Sequence, residues 1–231
     1  MIKEAMILAA GFGKRVRPLT LNYPKPLLKI GNETLLSNTI KFLSYIGINQ
    51  IVINVHYLGD QIIEYINKNK FNTNIHIIEE KNEILDTGGG VLNAIKYFSN
   101  EPFLIINPDT IWNYDYLNEI KLMEKIFLKN IKNKCTLLIV NKNKSSDKSL
   151  NGDFSLDNHL ITRKKEETFK YIYTGLQIIK PDAFSDLNKK IFSINKIWDN
   201  LIQTNSLYGV ESNINFSHIS TLTFYNSLNI K

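Results

Sequence analysis

Cysteine is almost absent from this sequence, because Cys135 is the one cysteine among 231 residues. A single thiol excludes an internal disulfide framework. Cys135 begins the apolar run CTLLIV, so we expect a buried thiol with a packing role. A chain of this length can bury a substantial core without disulfides or metals to stabilise it.

Long apolar runs are also missing. No stretch approaches the ~18 apolar residues that a membrane-spanning helix needs. The first residues, MIKEAMILAA, carry Lys3 and Glu4 ahead of a short apolar run, which is not the pattern of a secretory signal peptide. We therefore expect a cytoplasmic protein that does not contact a membrane.

Charge is moderate, with a formal net charge of +6, 22% charged residues and 43% apolar residues. This composition is ordinary for a globular protein. The cationic excess has two interpretations: a site for a polyanionic ligand such as a nucleotide, or only a lysine-rich composition. We do not expect nucleic acid as a partner.

Repeats and low-complexity linkers are absent, and predicted strands and helices alternate instead. Up to about residue 110, apolar strand-like runs are each followed by a glycine loop or by a segment with helical spacing. This alternation predicts right-handed βαβ units and an α/β fold. We expect a Rossmann-like, three-layer α/β/α arrangement around a mixed, mostly parallel sheet. Helix and strand patterns continue from residue 111 to about residue 205, interrupted by a polar, turn-rich stretch at about 142–170.

The segment MILAAGFGKRVRPLT passes from an apolar strand through two glycines into Lys14, Arg15 and Arg17. Val16 stands where a Rossmann fingerprint needs its third glycine, and no P-loop motif occurs. Glycines still allow a backbone to approach a phosphate, and the cations would attract it. The alternative is an ordinary turn with solvated cations.

The longer string MILAAGFGKRVRPLTLNYPKPLLKI resembles the signature of the sugar-1-phosphate nucleotidylyltransferases. In that signature an apolar strand precedes A-A-G-x-G-x-R-x-x-P-x-T and then P-K-P-L. The resemblance continues through LDTGGGVLNAI, PFLIINPDT and YIYTGLQII, over about residues 4–185. Within the family, the chain is most similar to short N-acetylmuramate-1-phosphate uridylyltransferases, followed by short mannose-1-phosphate guanylyltransferases.

This resemblance implies an enzyme of the nucleotide-diphospho-sugar transferase fold that uses Mg²⁺. It would transfer a nucleotidyl group from a nucleoside triphosphate to a sugar 1-phosphate, with release of pyrophosphate. UTP and N-acetylmuramate 1-phosphate are the expected substrates. The alternatives are a mannose-1-phosphate guanylyltransferase, a catalytically weak regulatory relative, and a cytidylyl- or molybdopterin-type transferase. We expect one domain, with a nucleotide-binding half at 1–110 and a sugar-binding half at 111–231, acting as a monomer or homodimer.

The resemblance also assigns residues. Arg15 would bind the β- and γ-phosphates, Lys25 the α-phosphate, and Asp109 would be the Mg²⁺ ligand. The expected nucleotide-binding residues are Ala10, Gly11, Gly13, Lys14, Arg15, Lys25, Gly88 and Gly89. The expected sugar-binding residues are Gly152, Thr174 and Gly175.

Two positions depart from the family pattern. Pro108 precedes Asp109 where the family has glycine. In the segment NFSHISTL, His218 stands where the family's W-x-D-x-G-T string has a second metal-binding aspartate, and Ser220 replaces the glycine. Imidazole is a poor ligand for Mg²⁺, which prefers oxygen. We therefore expect a metal held by Asp109 with phosphates and water, or weakened catalysis.

Overall fold

The structure is a computed structural model that describes residues 1–163, 168–185, 187 and 189–229. The first half of the chain alternates strands and helices. Its strands are β1 (Glu4–Leu8), β2 (Lys29–Ile30), β3 (Glu33–Thr34), β4 (Gln50–Val55), β5 (Asn74–Glu79) and β6 (Phe103–Ile106). Its helices are α1 (Leu35–Tyr45), α2 (Gly59–Lys68) and α3 (Asp86–Ala94).

The second half adds three helices and five strands among the described residues. The helices are α4 (Tyr116–Lys129), α5 (Asn195–Gln203) and α6 (Leu222–Asn229). The strands are β7 (Cys135–Asn141), β8 (Ser155–Asp157), β9 (Leu160–Thr162), β10 (Tyr171–Ile179) and β11 (Leu207–Ser212). In the described part of the chain, no helix is both long and apolar enough to cross a membrane.

One nine-stranded sheet runs through both halves in the order β5-β4-β1-β6-β10-β7-β11-β9-β8. The pairs from β5 to β6 are parallel, as is the pair of β7 with β11. β10 lies antiparallel between β6 and β7, and β9 pairs antiparallel with β11 and β8. The expected α/β fold with a mixed, mostly parallel sheet is therefore confirmed.

The two faces of the sheet carry separate apolar cores. In β1, Ala5 and Ile7 pack towards α1, α2 and α4, whereas Met6 packs towards α3 and α5. Side chains of a strand alternate between the two faces, so one central strand contributes to both cores. This arrangement gives the expected three layers. The Cys135 side chain is fully buried in β7, as expected, and its sulfur donates to Gln177 Oε1 at 3.2 Å.

The strands β8, β9 and β11 and the helix α6 were not predicted from the sequence. β8 and β9 have three residues each, and β11 contains Gly209 and Glu211 within its apolar pattern. Such short or interrupted runs give little periodicity to recognise. In an open sheet of this kind, ligands bind beyond the carboxyl ends of the strands, which here are the ends of β1, β4 and β6.

Candidate active site

The glycine loop after β1 brings Lys25 to the carboxyl end of the sheet. Gly13 has a left-handed φ of +62°, and one turn of 3₁₀ helix follows at Lys14–Val16. Thr20 Oγ1 donates to the Gly13 carbonyl at 2.9 Å. A Cβ on Gly13 would lie 3.0 Å from Thr20 Cγ2 and 3.1 Å from Lys25 Cβ. Glycine is therefore required both for the turn and for the close approach of these two side chains.

Lys25 forms an ion pair with Asp109, which lies just beyond β6. Lys25 Nζ donates to Asp109 Oδ2, and the two side chains are 14% and 23% exposed. Burial by itself would raise the pKa of the Asp109 carboxyl, but the charge and hydrogen bond of Lys25 bring it below its usual value. Asp109 is therefore ionised at neutral pH.

A cleft of about 420 Å³ opens beside this ion pair at the ends of β1, β4 and β6. Seven of the sequence-predicted residues line it: Ala10, Gly11, Gly13, Lys14, Arg15, Lys25 and Asp109. The structure therefore brings together three cations and a glycine-rich backbone, an arrangement suited to a polyanion. This placement accords with the sequence-based assignment of these residues, and their individual roles stay predictions.

Two further polar residues of the cleft, Asn54 and Glu80, were missed by sequence reasoning. Both line the cleft, and they are only 3% and 4% exposed. The available signal was weak: Asn54 interrupts the apolar run of β4, and Glu80 follows directly after β5. A buried carboxylate or amide needs hydrogen-bonding partners, and both side chains have such partners in this structure.

Gly88 and Gly89 were among the expected nucleotide-binding residues, but they do not line the cleft. Both backbone amides donate to the Phe192 carbonyl, at 2.9 and 3.0 Å. A Cβ on Gly88 would lie 2.4 Å from the Phe192 ring, and one on Gly89 would lie 2.2 Å from the Lys190 carbonyl. These glycines allow α3 to pack against the segment before α5. Their neighbours Asp86 and Thr87 line the cleft instead.

A second cleft of about 300 Å³ lies next to the first. The two clefts share Leu8, Asp86, Thr87 and Asn107. The remaining lining residues come from the loop before β8, from β10, and from the start of α5 with the segment before it. They are Asp153, Tyr173, Gln177, Ser193, Ile194, Asn195 and Trp198. Ligands in the two clefts would therefore meet at a common wall.

The three expected sugar-binding residues lie behind this second cleft. Gly152 packs with φ +88° against the Phe169 backbone, and the Thr174 hydroxyl donates to the Leu138 carbonyl at 2.9 Å. Gly175 has φ +92°, and a Cβ there would lie 2.9 Å from Asn107 Cβ. None of the three is among the residues that line the cleft, whereas Asp153, Tyr173 and Asn107 are.

His218 lies beside the segment that carries Asp109. The Ile219 amide donates to the Asp109 carbonyl at 2.8 Å, and Thr110 and His218 form an antiparallel bridge. The imidazole stacks on Phe216 with ring centroids 5.0 Å apart. Its Nδ1 is buried and has no hydrogen-bond partner among the described residues.

Burial lowers the pKa of the His218 imidazole below its usual value. Asp109 and Asp147 oppose this shift, whereas Lys25 and Arg15 add to it. The imidazole is therefore neutral at physiological pH. A neutral ring supplies no negative charge to the site.

These donors fit Mg²⁺ only in part. Within the described ranges, no three His, Cys, Asp or Glu side chains form a group that could hold a metal ion. Asp109 supplies a carboxylate, already paired with Lys25, and His218 supplies a nitrogen. Magnesium sites are often completed by substrate phosphates and water around one or two carboxylates. Asp109 fits that kind of site, whereas His218 does not.

Comparison with known proteins gives a consistent family. Residues 4–152 match the family model described as nucleotidyl transferase. The chain is 28% identical over 213 residues to the N-acetylmuramate alpha-1-phosphate uridylyltransferase of Caulobacter vibrioides, covering 90% of this chain and 88% of that protein. It is 34% identical over 116 residues to the mannose-1-phosphate guanyltransferase of Schizosaccharomyces pombe, covering 49% of this chain and 32% of that protein.

A solved structure shares the fold. The crystal structure of HddC from Yersinia pseudotuberculosis, complexed with GMP-PN, superposes with a TM-score of 0.77. The match covers 98% of each chain at 23% sequence identity.

Proposed function

Because this chain belongs to the nucleotidyl transferase family, as a sugar-1-phosphate nucleotidylyltransferase, we propose that its first cleft binds the nucleoside triphosphate and its second cleft the sugar 1-phosphate. The observation that carries this proposal is the wall shared by the two clefts, which would bring the two substrates into contact. The halves 1–110 and 111–231 would then form one catalytic domain. We expect a cytoplasmic monomer or homodimer.

The proposed reaction is an in-line displacement. A phosphate oxygen of the sugar 1-phosphate attacks the α-phosphorus and forms a new P–O bond. The bond between the α-phosphorus and the bridging oxygen breaks, and pyrophosphate leaves with the electron pair. The protein contributes mainly by positioning its substrates and stabilising the developing charge.

Arg15 and Lys25 are proposed to bind the triphosphate. The planar guanidinium of Arg15 suits the β- and γ-phosphates, because it can donate two parallel hydrogen bonds. Lys25 would turn from Asp109 to the α-phosphate when the nucleotide binds. This exchange releases the Asp109 carboxylate, which would hold Mg²⁺ together with oxygens of the triphosphate. When bound, Mg²⁺ would neutralise charge on the phosphates.

For the sugar, N-acetylmuramate 1-phosphate with UTP is the first candidate. The relative with that activity in its name matches 90% of this chain. Muramate carries a lactyl carboxylate, so its enzyme needs a cation near the sugar. The described lining of the second cleft includes Asp86 and Asp153 but no cationic side chain. Arg163, which contacts the lining residues Asp153 and Asn195, is the cation that we propose for this role.

Arg163 is held at the edge of the cleft by several contacts. Its Nη2 donates to Asn195 Oδ1 at 3.0 Å, and its Nη1 donates to Asp199 Oδ1 at 3.1 Å. Its Nε donates to the Asp153 carbonyl at 3.3 Å, and the guanidinium lies 4.5 Å from the centre of the Phe154 ring. A guanidinium has five N–H donors, so these bonds leave donors for a substrate carboxylate.

Mannose 1-phosphate with GTP is the second candidate. The two carboxylates of the second cleft, Asp86 and Asp153, favour it, because carboxylates accept hydrogen bonds from sugar hydroxyls and repel a carboxylated sugar. The Schizosaccharomyces pombe relative is named for this activity.

Pyrophosphate release with a substrate panel tests the proposal. UTP, GTP, CTP and dTTP would each be combined with N-acetylmuramate, N-acetylglucosamine and mannose 1-phosphates. N-acetylglucosamine 1-phosphate is the matched control, since it lacks only the lactyl group. We expect the highest kcat/KM with UTP and N-acetylmuramate 1-phosphate. A preference for mannose 1-phosphate and GTP would select the second candidate, and no pyrophosphate with any pair would contradict the proposed function.

A further inference from the structure

A buried hydrogen-bond chain crosses the floor of the nucleotide cleft. Asn54 Oδ1 accepts from the Ala9 amide at 3.0 Å, and Asn54 Nδ2 donates to Glu80 Oε1 at 2.7 Å. Glu80 Oε2 accepts from the Leu85 amide at 2.8 Å. Two side chains therefore connect the first residue after β1 with the residue before α3.

The two ends of this chain are the two walls of the cleft. Ala9 leads into the glycine loop, and Leu85 precedes Asp86 and Thr87, which line the opposite side. The Glu80 backbone is fixed as well, because its amide donates to the Val55 carbonyl at 2.9 Å. Hydrogen bonds of 2.7 to 3.0 Å thus link the two walls.

Helix α3 packs directly against the hydrogen-bonded pair Asn54 and Glu80. A Cβ on Gly90 would lie 2.8 Å from Asn54 Nδ2 and 3.0 Å from Glu80 Oε1. Such distances are shorter than packed atoms tolerate, so a glycine is needed for the helix to cover the pair. The buried carboxylate also lies at the N-terminal end of α3, where the helix dipole favours negative charge.

We propose that Asn54 and Glu80 are positioning residues that fix the distance between the glycine loop and the start of α3, and so set the width of the nucleotide cleft. This inference rests on the proposed function, because it takes the cleft to be the nucleotide site. Neither side chain needs to touch the nucleotide, since their polar atoms are already engaged by the protein.

The direction of each hydrogen bond allows a sharp test. Glu80→Gln places one amide nitrogen against either Asn54 Nδ2 or the Leu85 amide, so two donors face each other. Asn54→Asp places a second carboxylate against that of Glu80, so two acceptors face each other. The double variant, which combines Asn54→Asp with Glu80→Gln, restores every bond. Its new carboxylate at position 54 would accept from the Ala9 amide and from the new side-chain amide at position 80, whose oxygen would accept from the Leu85 amide.

The measurement is the Kd for UTP and for GTP by titration calorimetry, together with Tm. We expect each single variant to raise the Kd roughly ten- to a hundredfold, the range for losing a buried hydrogen bond to a charged group. The double variant should return to within about threefold of wild type. Thr136→Val is the control, because it removes a buried hydrogen bond from Asn133 at 2.8 Å, away from the cleft.

A positioning role predicts that the control loses thermal stability while keeping wild-type Kd. If Glu80→Gln lost only as much stability as Thr136→Val and bound nucleotide like wild type, the inference would be overturned. A double variant with wild-type Tm but weak binding would overturn it as well. If wild-type protein bound neither UTP nor GTP, the proposed function would fail together with this inference.

Discussion

Replacement of Lys25 by methionine isolates the ion pair with Asp109, because methionine keeps most of the length of the side chain and removes its charge. Breaking a fully buried ion pair costs ~3–5 kcal/mol, since the remaining charge stays buried without a partner. Lys25 and Asp109 keep 14% and 23% exposure, so water screens part of this effect. We expect Lys25→Met to lower the free energy of unfolding by about 1–3 kcal/mol. Each kcal/mol lowers the Tm of a chain of this length by about 2–4 °C.

The pKa of Asp109 determines how the stability difference between wild type and Lys25→Met changes with pH. In the wild type the pKa of Asp109 lies below its usual value, so the pair stabilises the fold above that usual pKa of about 3.9. This stabilisation is lost as the pH falls through the lowered pKa. In Lys25→Met, burial is no longer opposed by Lys25, and the pKa of Asp109 rises. The difference in stability between wild type and variant should therefore be full at pH 7 and shrink as the pH approaches 4.

Thermal unfolding of both proteins with chelator and no nucleotide, between pH 4 and 7, measures this difference. Lys41→Met is the matched control, because Lys41 also pairs with a carboxylate, Glu33, at 2.6 Å, but both side chains are about half exposed. Exposed pairs contribute little, so the control should change Tm much less. A Lys25→Met protein with wild-type Tm at pH 7, or a difference that grows on acidification, would refute the reasoning.

Three further predictions concern activity. Arg15→Ala should lower kcat/KM by roughly two to three decades in steady-state assays, the size expected for losing one preorganised donor to developing charge. Arg17→Ala is the control and should not lower it. Near-wild-type turnover of Arg15→Ala would contradict the assignment of Arg15 to the triphosphate. His218→Asp should lower the Mg²⁺ concentration for half-maximal rate, and an identical Mg²⁺ titration would show that this position does not face the metal. Arg163→Gln should lower the kcat/KM ratio of N-acetylmuramate to N-acetylglucosamine 1-phosphate about tenfold or more, and an unchanged ratio would contradict the role of this residue.

Much of the fold was predictable because its central strands are nearly continuous apolar runs. In β1 and β6, burial on both faces favours an almost continuous apolar run, and Gly11 and Asp109 each follow three residues after the strand ends. The three-residue strands β8 and β9, at one end of the sheet, are only partly buried and show no such apolar run. Their pairing depends on neighbours distant in sequence, which a local pattern does not contain.

The candidate site likewise has a part that could be predicted from the sequence and a part that could not. The glycine loop and its cations are contiguous, so their chemistry can be recognised in one string. The sugar side is built from separate segments, and there the prediction reached Thr174 and Gly175, whereas Tyr173 and Gln177 line the cleft. A register shift between Tyr173 and Gln177 changes which residues of β10 face it. Such a bulge follows from pairing with both neighbouring strands, and no local pattern predicts it.

The charges around Asp109 constrain the order in which metal and nucleotide bind. In the free protein its carboxylate already has Lys25 as a partner, and the neighbouring imidazole of His218 is neutral. A divalent cation arriving alone would have to displace Lys25 and would then face Arg15 and Lys25 in the same cleft. A triphosphate reverses this balance, since it attracts both cations and supplies oxygens for the metal. Mg²⁺ should therefore enter with the nucleotide. The histidine at position 218 would strengthen this dependence on nucleotide, because it replaces the family's second carboxylate, which would otherwise bind the metal before the nucleotide arrives.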